Sequence, residues 1–150
     1  MALSWDRINF EEQTILIDKS LQKLNGVTYI TSPKTKKSIR TIVIFPKLVE
    51  ILKKYKESCY DASDDAIVFP FVKSTISREL IRKTKDLDLP KIRIHDFRHS
   101  HVSLLIEMGL SVNDIANRLG HESTKTTFDT YSHLYKNKDD EIAKKLQEIA

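Results

Sequence analysis

The chain has 150 residues, of which 40% are hydrophobic and 31% are charged. That balance is typical of one globular domain with a real hydrophobic core, and it excludes a chain that is disordered throughout. The net charge of +4 permits a polyanionic partner, while a single cysteine, Cys59, excludes an internal disulfide and a multi-cysteine metal cluster.

The first third of the chain has the pattern of short strands. β-Branched residues are concentrated at positions 14–17 and 39–44, and Asn25 with Gly26 predicts a turn between extended segments. We therefore expect a small antiparallel sheet. Residues 31–38, TSPKTKKS, are predicted to form the polar tip of a hairpin, because Pro33 interrupts pairing and lysines are costly to bury.

Beyond residue 46 the spacing becomes helical. Apolar residues recur at helical intervals through residue 60, and residues 66–71 form a short apolar segment that we expect to be buried. Ser74 is predicted to cap a helix that runs to about residue 87. The next predicted helix covers residues 95–108, ends at Gly109 and has its core side marked by four apolar residues: Phe97, Leu104, Leu105 and Met108.

The last third is predicted to be helical with one loose segment. Ser111 caps a helix that Gly120 ends, and Ser123 caps a threonine-rich segment carrying Tyr131, which we expect to be mobile. Residues 138–149 read as a charged terminal helix with Ile142, Leu146 and Ile149 on one side. The predicted fold is α+β and mainly helical, with a small N-terminal antiparallel sheet packed on a helical bundle.

The segment HDFRHSH combines histidines with an arginine at a predicted helix start. His95 and Arg98 are three residues apart and therefore point into the same space, with His99 and His101 close by. An arginine fork matches a phosphate, and imidazole donates a hydrogen bond or a proton near neutral pH. The segment predicts either an anion site or, more plainly, a surface cluster with satisfied hydrogen bonds.

Two other functions compete for these residues. His95 and His99 have the i, i+4 spacing of the metalloprotease motif HExxH, but Asp96 replaces the glutamate base, so a zinc hydrolase ranks last. Residues 111–127 resemble a helix-turn-helix, which makes a non-catalytic DNA-binding regulator the main alternative. Yet His121 occupies a turn position that usually holds a small apolar residue, and that motif leaves the upstream arginine unexplained.

One chemistry uses all these residues together. A tyrosine that attacks a phosphodiester needs an activated phenol, cationic or hydrogen-bonding groups around phosphorus, and an acid for the leaving oxygen. Tyr131, His95, Arg98 and His121 meet those requirements together with a lysine.

The order of these motifs resembles the tyrosine recombinase, or phage integrase, family. HDFRH, LGH and TYSH follow one another, with PKTKKSIRTI upstream, where the family has a lysine-bearing β-hairpin. The opening Ala2-Leu3-x-Trp5 also resembles the family. The resemblance covers nearly the whole chain and is closest to integrases of prophages and mobile elements. It implies the catalytic domain of a site-specific DNA recombinase over residues 1–150.

The resemblance also implies a role for each site residue. Tyr131 is the nucleophile that leaves a 3′-phosphotyrosyl enzyme and a free 5′-hydroxyl. Arg98 clamps the phosphate, while His95 and His121 donate hydrogen bonds or move the proton of the nucleophile. Lys34 is the acid for the departing oxygen. Because the phosphotyrosine conserves the energy of the broken bond, the resemblance implies no metal and no other cofactor.

DNA contacts are expected from the most basic part of the chain. Residues 34–56 are rich in lysine and arginine, with Glu50 as the sole acidic residue. Lys36 and Lys37 also compete with Lys34 for the role of the acid. The expected DNA contacts are Lys36, Lys37, Arg40 and His99.

The expected partners are double-stranded DNA and further copies of the chain assembled on it. The terminal helix is expected either to fold back on its own domain or to pack against another copy. With no apolar run near the roughly 18 residues of a membrane span and no signal segment, we expect a cytoplasmic protein without a membrane partner. Relatives carry an arginine and then an acidic residue before Ala-Leu-x-Trp, whereas Met1 stands there in this chain. We therefore expect a truncated catalytic domain that folds but cleaves little DNA until the upstream region is restored.

Overall fold

The computed structural model describes residues 2–25, 27–33, 35–135, 143–144 and 146–149. It is α+β and mainly helical, with its strands in the first third, which confirms the predicted fold class. In chain order the elements are β1 (Ile8–Asn9), β2 (Thr14–Ile17), β3 (Ser20–Leu24), β4 (Val27–Thr31), β5 (Arg40–Val43), α1 (Pro46–Ser58), α2 (Lys73–Asp86), α3 (Asp96–Glu107), α4 (Val112–Leu119) and α5 (Thr124–Tyr131), with 3-10 turns at Trp5–Arg7, Lys36–Ser38 and Ser132–Tyr135.

The strands form two antiparallel sheets. β1, β2 and β5 make a three-stranded sheet in that order, with Ile15 of β2 opposite Ile8 on one side and Ile42 on the other. β3 and β4 make a separate hairpin whose turn includes Asn25 at φ +48°. The prediction of a hairpin tip at residues 31–38 is therefore wrong. β4 and β5 belong to different sheets, since β5 pairs with β2, where Ile42 lies opposite Ile15. The residues after Thr31 therefore connect the two sheets.

The first sheet and α1 enclose one apolar core, which we call the amino-terminal cluster. Its buried members are Trp5, Ile8, Ile15, Ile44, Val49, Leu52 and Val68. The predicted burial of residues 66–71 is confirmed at Val68, whose N–H donates to the Leu3 carbonyl at 2.9 Å, and is wrong at the exposed Phe71. The segment leaves the core once it has passed the sheet.

Helices α3, α4 and α5 enclose a second core, the carboxy-terminal cluster. Its buried members are Val102, Leu105, Ile106, Ile115, Leu119 and Tyr131. The predicted buried side of α3 is right at Leu105 but wrong at three exposed residues: Phe97, Leu104 and Met108. Val102, Leu105 and Ile106 are four, seven and eight positions after Arg98, so the arginine lies on the buried face of the helix.

The helix ends follow the predictions in most places. The hydroxyl oxygens of Ser111 and Ser123 accept hydrogen bonds from backbone N–H groups at the starts of α4 and α5, which confirms both predicted caps. The prediction that Ser74 caps α2 is wrong, since the helix begins at Lys73 and its N-cap is Val72. In the predicted terminal helix, Ile142 lies outside the described residues, while Leu146 and Ile149 are exposed. Within the described ranges, every helix is too short or too polar to cross a bilayer.

Candidate active site

The predicted site residues meet where α3, the turn after α4 and the end of α5 come together. Arg98 lies in the first turn of α3, and its Nη2 donates to the Leu119 carbonyl at 3.1 Å. The same nitrogen lies 2.6 Å from Nε2 of His121, and Nδ1 of His121 lies 2.7 Å from the Thr127 hydroxyl. One residue from each of three elements is thereby joined in a single hydrogen-bonded chain.

Gly120 allows the backbone to turn sharply enough to present His121. It ends α4 in the left-handed conformation, with φ +69° and ψ +34°. A Cβ atom at this position would lie 2.6 Å from Nη1 of Arg40, which is closer than atoms pack. The following N–H, that of His121, donates back to the Ala116 carbonyl at 2.9 Å. The turn is therefore fixed by glycine, by a helix-end hydrogen bond and by the arginine that packs against it.

Tyr131 is a buried residue whose hydroxyl faces a histidine. Its side chain is 6% exposed and belongs to the carboxy-terminal cluster. Its Oη lies 2.6 Å from Nδ1 of His99. Burial raises the pKa of Tyr131, and the positive charge of Arg98 opposes part of that rise. The phenol is thus protonated at neutral pH, with a hydrogen-bond partner in place.

The site is rich in positive charge. Burial, and then Arg98 and Arg118, lower the pKa of Arg40; burial, and then Arg98 and Arg40, lower the pKa of His121. None of the ion pairs found within the described ranges includes one of these three arginines. Cations held together without a carboxylate repel one another, and an anion between them relieves that repulsion. The geometry and the charge therefore favour a bound phosphate.

A match to a protein-family model fixes the family. The family model for the phage integrase family matches residues 1–138. The chain belongs to the phage integrase family. It is 42% identical to the ICEBs1 integrase of Bacillus subtilis (strain 168), a match that covers 99% of this chain and 44% of that relative. It is 29% identical to the integrase of Staphylococcus phage L54a, covering 99% of this chain and 47% of that relative.

Solved structures of the family share the fold. The Tn1549 transposon integrase in complex with circular intermediate DNA superposes with a TM-score of 0.75 at 18% identity, over 99% of this chain and 52% of that one. The XerA recombinase gives a TM-score of 0.63 at 21% identity, over 97% of this chain and 49% of that one. The chain spans about half the length of the relatives that it matches.

The other predicted residues of this phage integrase domain are placed as follows. His95 is exposed at the N-cap of α3, and its ring stands edge to face on His99, with centroids 4.8 Å apart. Lys34 and the side chain of Lys36 lie outside the described residues. Nζ of Lys37 donates to the Glu122 carbonyl at 2.9 Å, directly beside the turn that presents His121.

Arg40 was predicted to contact DNA, and two of its nitrogens make internal hydrogen bonds. Nε donates to the Arg118 carbonyl at 2.8 Å and Nη1 donates to the Ser38 carbonyl at 3.1 Å. Farther along the basic segment, the ammonium groups of Lys53 and Lys56 lie over the rings of Phe10 and Trp5. Part of the predicted DNA-binding region therefore packs on the amino-terminal cluster.

Two residues of the site were not predicted. Thr127 is fully buried and holds His121, while Arg118 reaches the Val43 carbonyl at 3.3 Å and His101 at 3.4 Å. The spacing of Thr127 was a usable signal, because it stands four residues before Tyr131 on the same face of a helix. Arg118 gave no comparable signal, since a single arginine near a helix end is usually solvated.

The structure and the family match bear on the two alternative functions, the zinc hydrolase and the DNA-binding regulator. Within the described part of the chain, no three His, Cys, Asp or Glu side chains are grouped so as to hold a metal ion. The predicted pair of helices joined by a tight turn is present as α4 and α5, but the family match over residues 1–138 places it inside a phage integrase domain.

Proposed function

We propose that the protein translated from the complete coding region, called the complete protein below, recombines DNA at a specific site. It would cleave and rejoin strands through a 3′-phosphotyrosyl intermediate, as an integrase of a prophage or another mobile element. The observation that carries this proposal is the contact of Arg98 with His121, 2.6 Å apart, beside a buried Tyr131 in a chain of the phage integrase family.

In the proposed reaction Tyr131 is the nucleophile. Its Oη forms a bond to phosphorus and gives up the phenolic proton to a base, the bond from phosphorus to the 5′ oxygen breaks, and that oxygen leaves with a proton from an acid. Rejoining is the same exchange in reverse, with a 5′-hydroxyl as the attacking group. Because the phosphotyrosine keeps the bond energy, the exchange needs no nucleotide cofactor.

Arg98 and His121 are proposed to stabilise the charge that grows on the non-bridging phosphate oxygens. Without DNA the two groups contact each other, and the lowered pKa of His121, due to burial and then to Arg98 and Arg40, keeps the imidazole neutral so that Nε2 accepts from the guanidinium. A phosphate would separate them and replace this contact. Its negative charge would also favour the protonated imidazole, so that both groups then donate to it.

The acid is proposed to be a lysine of the segment between the two sheets. The family resemblance assigns this role to Lys34, whereas the position of Lys37 beside the His121 turn makes Lys37 a second candidate. Single substitutions to alanine distinguish the two: only the acid's loss is bypassed by a substrate whose 5′ bridging oxygen is replaced with sulfur, a leaving group that needs no proton.

The proposed substrate is double-stranded DNA, and further copies of the protein are proposed to assemble on it. The basic character of the chain and the related Tn1549 integrase, solved in complex with circular intermediate DNA, support DNA as the partner. Lys36 and Lys37 remain proposed phosphate contacts. Arg40 and His99 were also expected to contact DNA, but both make internal hydrogen bonds. These favour a different role for each: Arg40 supports the turn that carries His121, and His99 contacts Tyr131.

The test of the proposal is capture of the covalent intermediate. The complete protein, incubated with a nicked target duplex, is expected to form a protease-sensitive adduct, and Tyr131→Phe is expected to form none while it binds DNA as well as before. Tyr60→Phe is the matched control, because Tyr60 is fully exposed. An adduct of normal yield with Tyr131→Phe moves the nucleophile elsewhere, and specific binding without any adduct favours the DNA-binding regulator.

A further inference from the structure

We propose that His99 is the base that accepts the phenolic proton of Tyr131 when its oxygen attacks phosphorus. The inference rests on the proposed function and adds a catalytic residue to it. It starts from the 2.6 Å distance between Nδ1 of His99 and Oη of Tyr131, which is the reach that proton transfer requires. His99 thereby touches the reacting atom itself.

The other polar groups near the phenol are already committed. A guanidinium such as that of Arg98 carries no acceptor, so it cannot take a proton. Both ring nitrogens of His121 are engaged, one with Arg98 and the other with Thr127. Among the hydrogen bonds of the described residues, the one made by the hydroxyl of Tyr131 goes to His99. His95 packs edge to face on the ring of His99, whereas the Tyr131 hydroxyl bonds to His99 itself, so the geometry favours His99 over His95 as the acceptor.

A buried phenol has a particular need for a base. Desolvation raises the pKa of Tyr131 despite the opposing charge of Arg98, so the protonated form dominates at neutral pH. A protonated phenol is a weak nucleophile, and a positioned base removes the proton as the new bond forms. A neutral imidazole has one ring nitrogen that can accept such a proton.

The surroundings of His99 fix the orientation of its ring and place a carboxylate near it. The ring of His95 packs against it edge to face, at 84°. Asp96 lies close enough that its pKa, lowered mainly by a hydrogen bond from Arg93, is lowered further by the charge of His99. That attraction is mutual, so the Asp96 carboxylate stabilises the imidazolium that proton transfer creates.

The step balances in both directions. The bond from Oη to phosphorus forms, the phosphorus–5′-oxygen bond breaks, the phenolic proton moves to Nδ1, and the acid protonates the departing oxygen. In rejoining, the 5′-hydroxyl forms its bond to phosphorus and gives its proton back to the deprotonated acid, while the bond from Oη to phosphorus breaks and the imidazolium returns its proton to Oη of Tyr131. The scheme requires the tautomer of His99 that carries its proton on Nε2 before the reaction.

The experiment measures the rate of adduct formation by the complete protein on a nicked duplex. His99→Ala is expected to slow the adduct by about 10²–10⁴-fold, the usual contribution of a general base. Fluorotyrosine at position 131, whose phenol is a stronger acid, is expected to restore most of that loss, because it depends less on a base. Arg98→Lys, which leaves His99 in place, is the control that fluorotyrosine should not rescue.

A second variant separates chemistry from folding. His99→Asn keeps a polar side chain for the Tyr131 hydroxyl but cannot take its proton at neutral pH, so it should melt near the wild-type temperature and be as slow as His99→Ala. The inference is overturned if either variant reacts at the wild-type rate. It is also overturned if fluorotyrosine at position 131 does not bring the adduct rate of His99→Ala closer to that of the wild-type protein. It is also overturned if a 5′ bridging sulfur rescues His99→Ala, since His99 would then be the acid. Absence of adduct from the wild-type protein overturns the proposed function instead.

Discussion

The two apolar clusters of this chain differ in what they bury. Apart from the indole nitrogen of Trp5, the buried members of the amino-terminal cluster are hydrocarbon side chains. The carboxy-terminal cluster includes Tyr131, with fully buried Thr127 beside it, and both hydroxyls bond to histidines of the site. Buried hydroxyls need partners. Residues of the carboxy-terminal cluster therefore belong to both the core and the site, whereas the amino-terminal cluster serves as a scaffold.

Arginines link the two regions reciprocally. Arg40 of β5 donates to the Arg118 carbonyl at the end of α4, and Arg118 donates to the Val43 carbonyl at the end of β5. Each arginine thus satisfies a backbone acceptor of the opposite region. The same arrangement brings positive charge to the boundary where His121 and Arg98 lie, so the contact that joins the regions also adds positive charge beside the proposed phosphate site.

Among the comparisons between the two clusters, the largest effect on the rate of adduct formation should come from Arg98, at the site end of the carboxy-terminal cluster. Arg98→Lys in the complete protein is expected to slow adduct formation by about 10²–10³-fold, because an ammonium cannot reproduce a two-pronged contact with a phosphate. Arg82→Lys is the matched control, since Arg82 is a surface residue of α2 that pairs with Glu79. A wild-type rate for Arg98→Lys would make Arg98 a structural residue and separate the core from the chemistry.

A smaller effect, on the free energy of unfolding, should come from the turn at Gly120, where the two regions meet. Gly109 and Gly120 both have positive φ, so alanine at either position carries left-handed strain of about 1–2 kcal/mol. A Cβ at Gly120 also meets Arg40 at 2.6 Å, whereas one at Gly109 meets open space. Gly120→Ala should therefore lower the free energy of unfolding more than Gly109→Ala in urea titrations. Equal losses would show that Arg40 moves aside freely.

Matched substitutions in the two cores should separate stability from activity. Ile15→Val and Ile115→Val each remove one methylene and are expected to cost about 0.5–1.5 kcal/mol in unfolding free energy. Ile115 lies on α4, whose end positions His121, so only Ile115→Val should also slow adduct formation at a temperature where both variants are folded. Equal slowing by both would show that the amino-terminal cluster is more than a scaffold.

The sequence was informative where local chemistry decides the structure. Glycine stops, serine caps and the strand segments are set by nearby residues, and these predictions are largely confirmed. The segment carrying Tyr131 shows the opposite. Its threonines and scarcity of large apolar residues predict a loose segment, yet it forms α5, with the side chains of Thr127 and Tyr131 held by histidines from outside that helix. Tertiary hydrogen bonds of this kind leave no local pattern.

The misassigned face of α3 has a similar cause. Apolar residues lie on both sides of α3: Phe97, Leu104 and Met108 are exposed, whereas the buried side combines Val102, Leu105 and Ile106 with Arg98. Because both sides of the helix are apolar, the spacing of apolar residues alone does not reveal which side is buried. The members of the site were therefore predictable from motif spacing, and Thr127 was within reach of the same reasoning, whereas the supporting contacts of Arg118 and Arg40 were not.

The smallest expected effect is a change in titration across the boundary. Burial, then Arg98 and Arg40, lower the pKa of His121, whereas burial, then Arg118 and Arg98, lower that of His101. Arg40→Gln should therefore raise the pKa of His121 and leave that of His101 in place, and Arg118→Gln should do the reverse. Ring signals followed by NMR from pH 4 to 8 measure both.

The sign of the effect on stability follows from the same shift. The folded state holds the pKa of His121 below the ordinary histidine value of about 6.5, so between these two values the unfolded chain binds more protons. The contribution of His121 is fully present above about pH 6.5 and is lost as the pH falls through the folded pKa. Melting temperatures should therefore drop on acidification. The drop should be less steep with Arg40→Gln, because this substitution narrows the interval between the folded and unfolded pKa of His121. If Arg40→Gln shifts both histidines equally, the charge of Arg40 acts diffusely and the boundary does not couple the scaffold to one particular residue of the site.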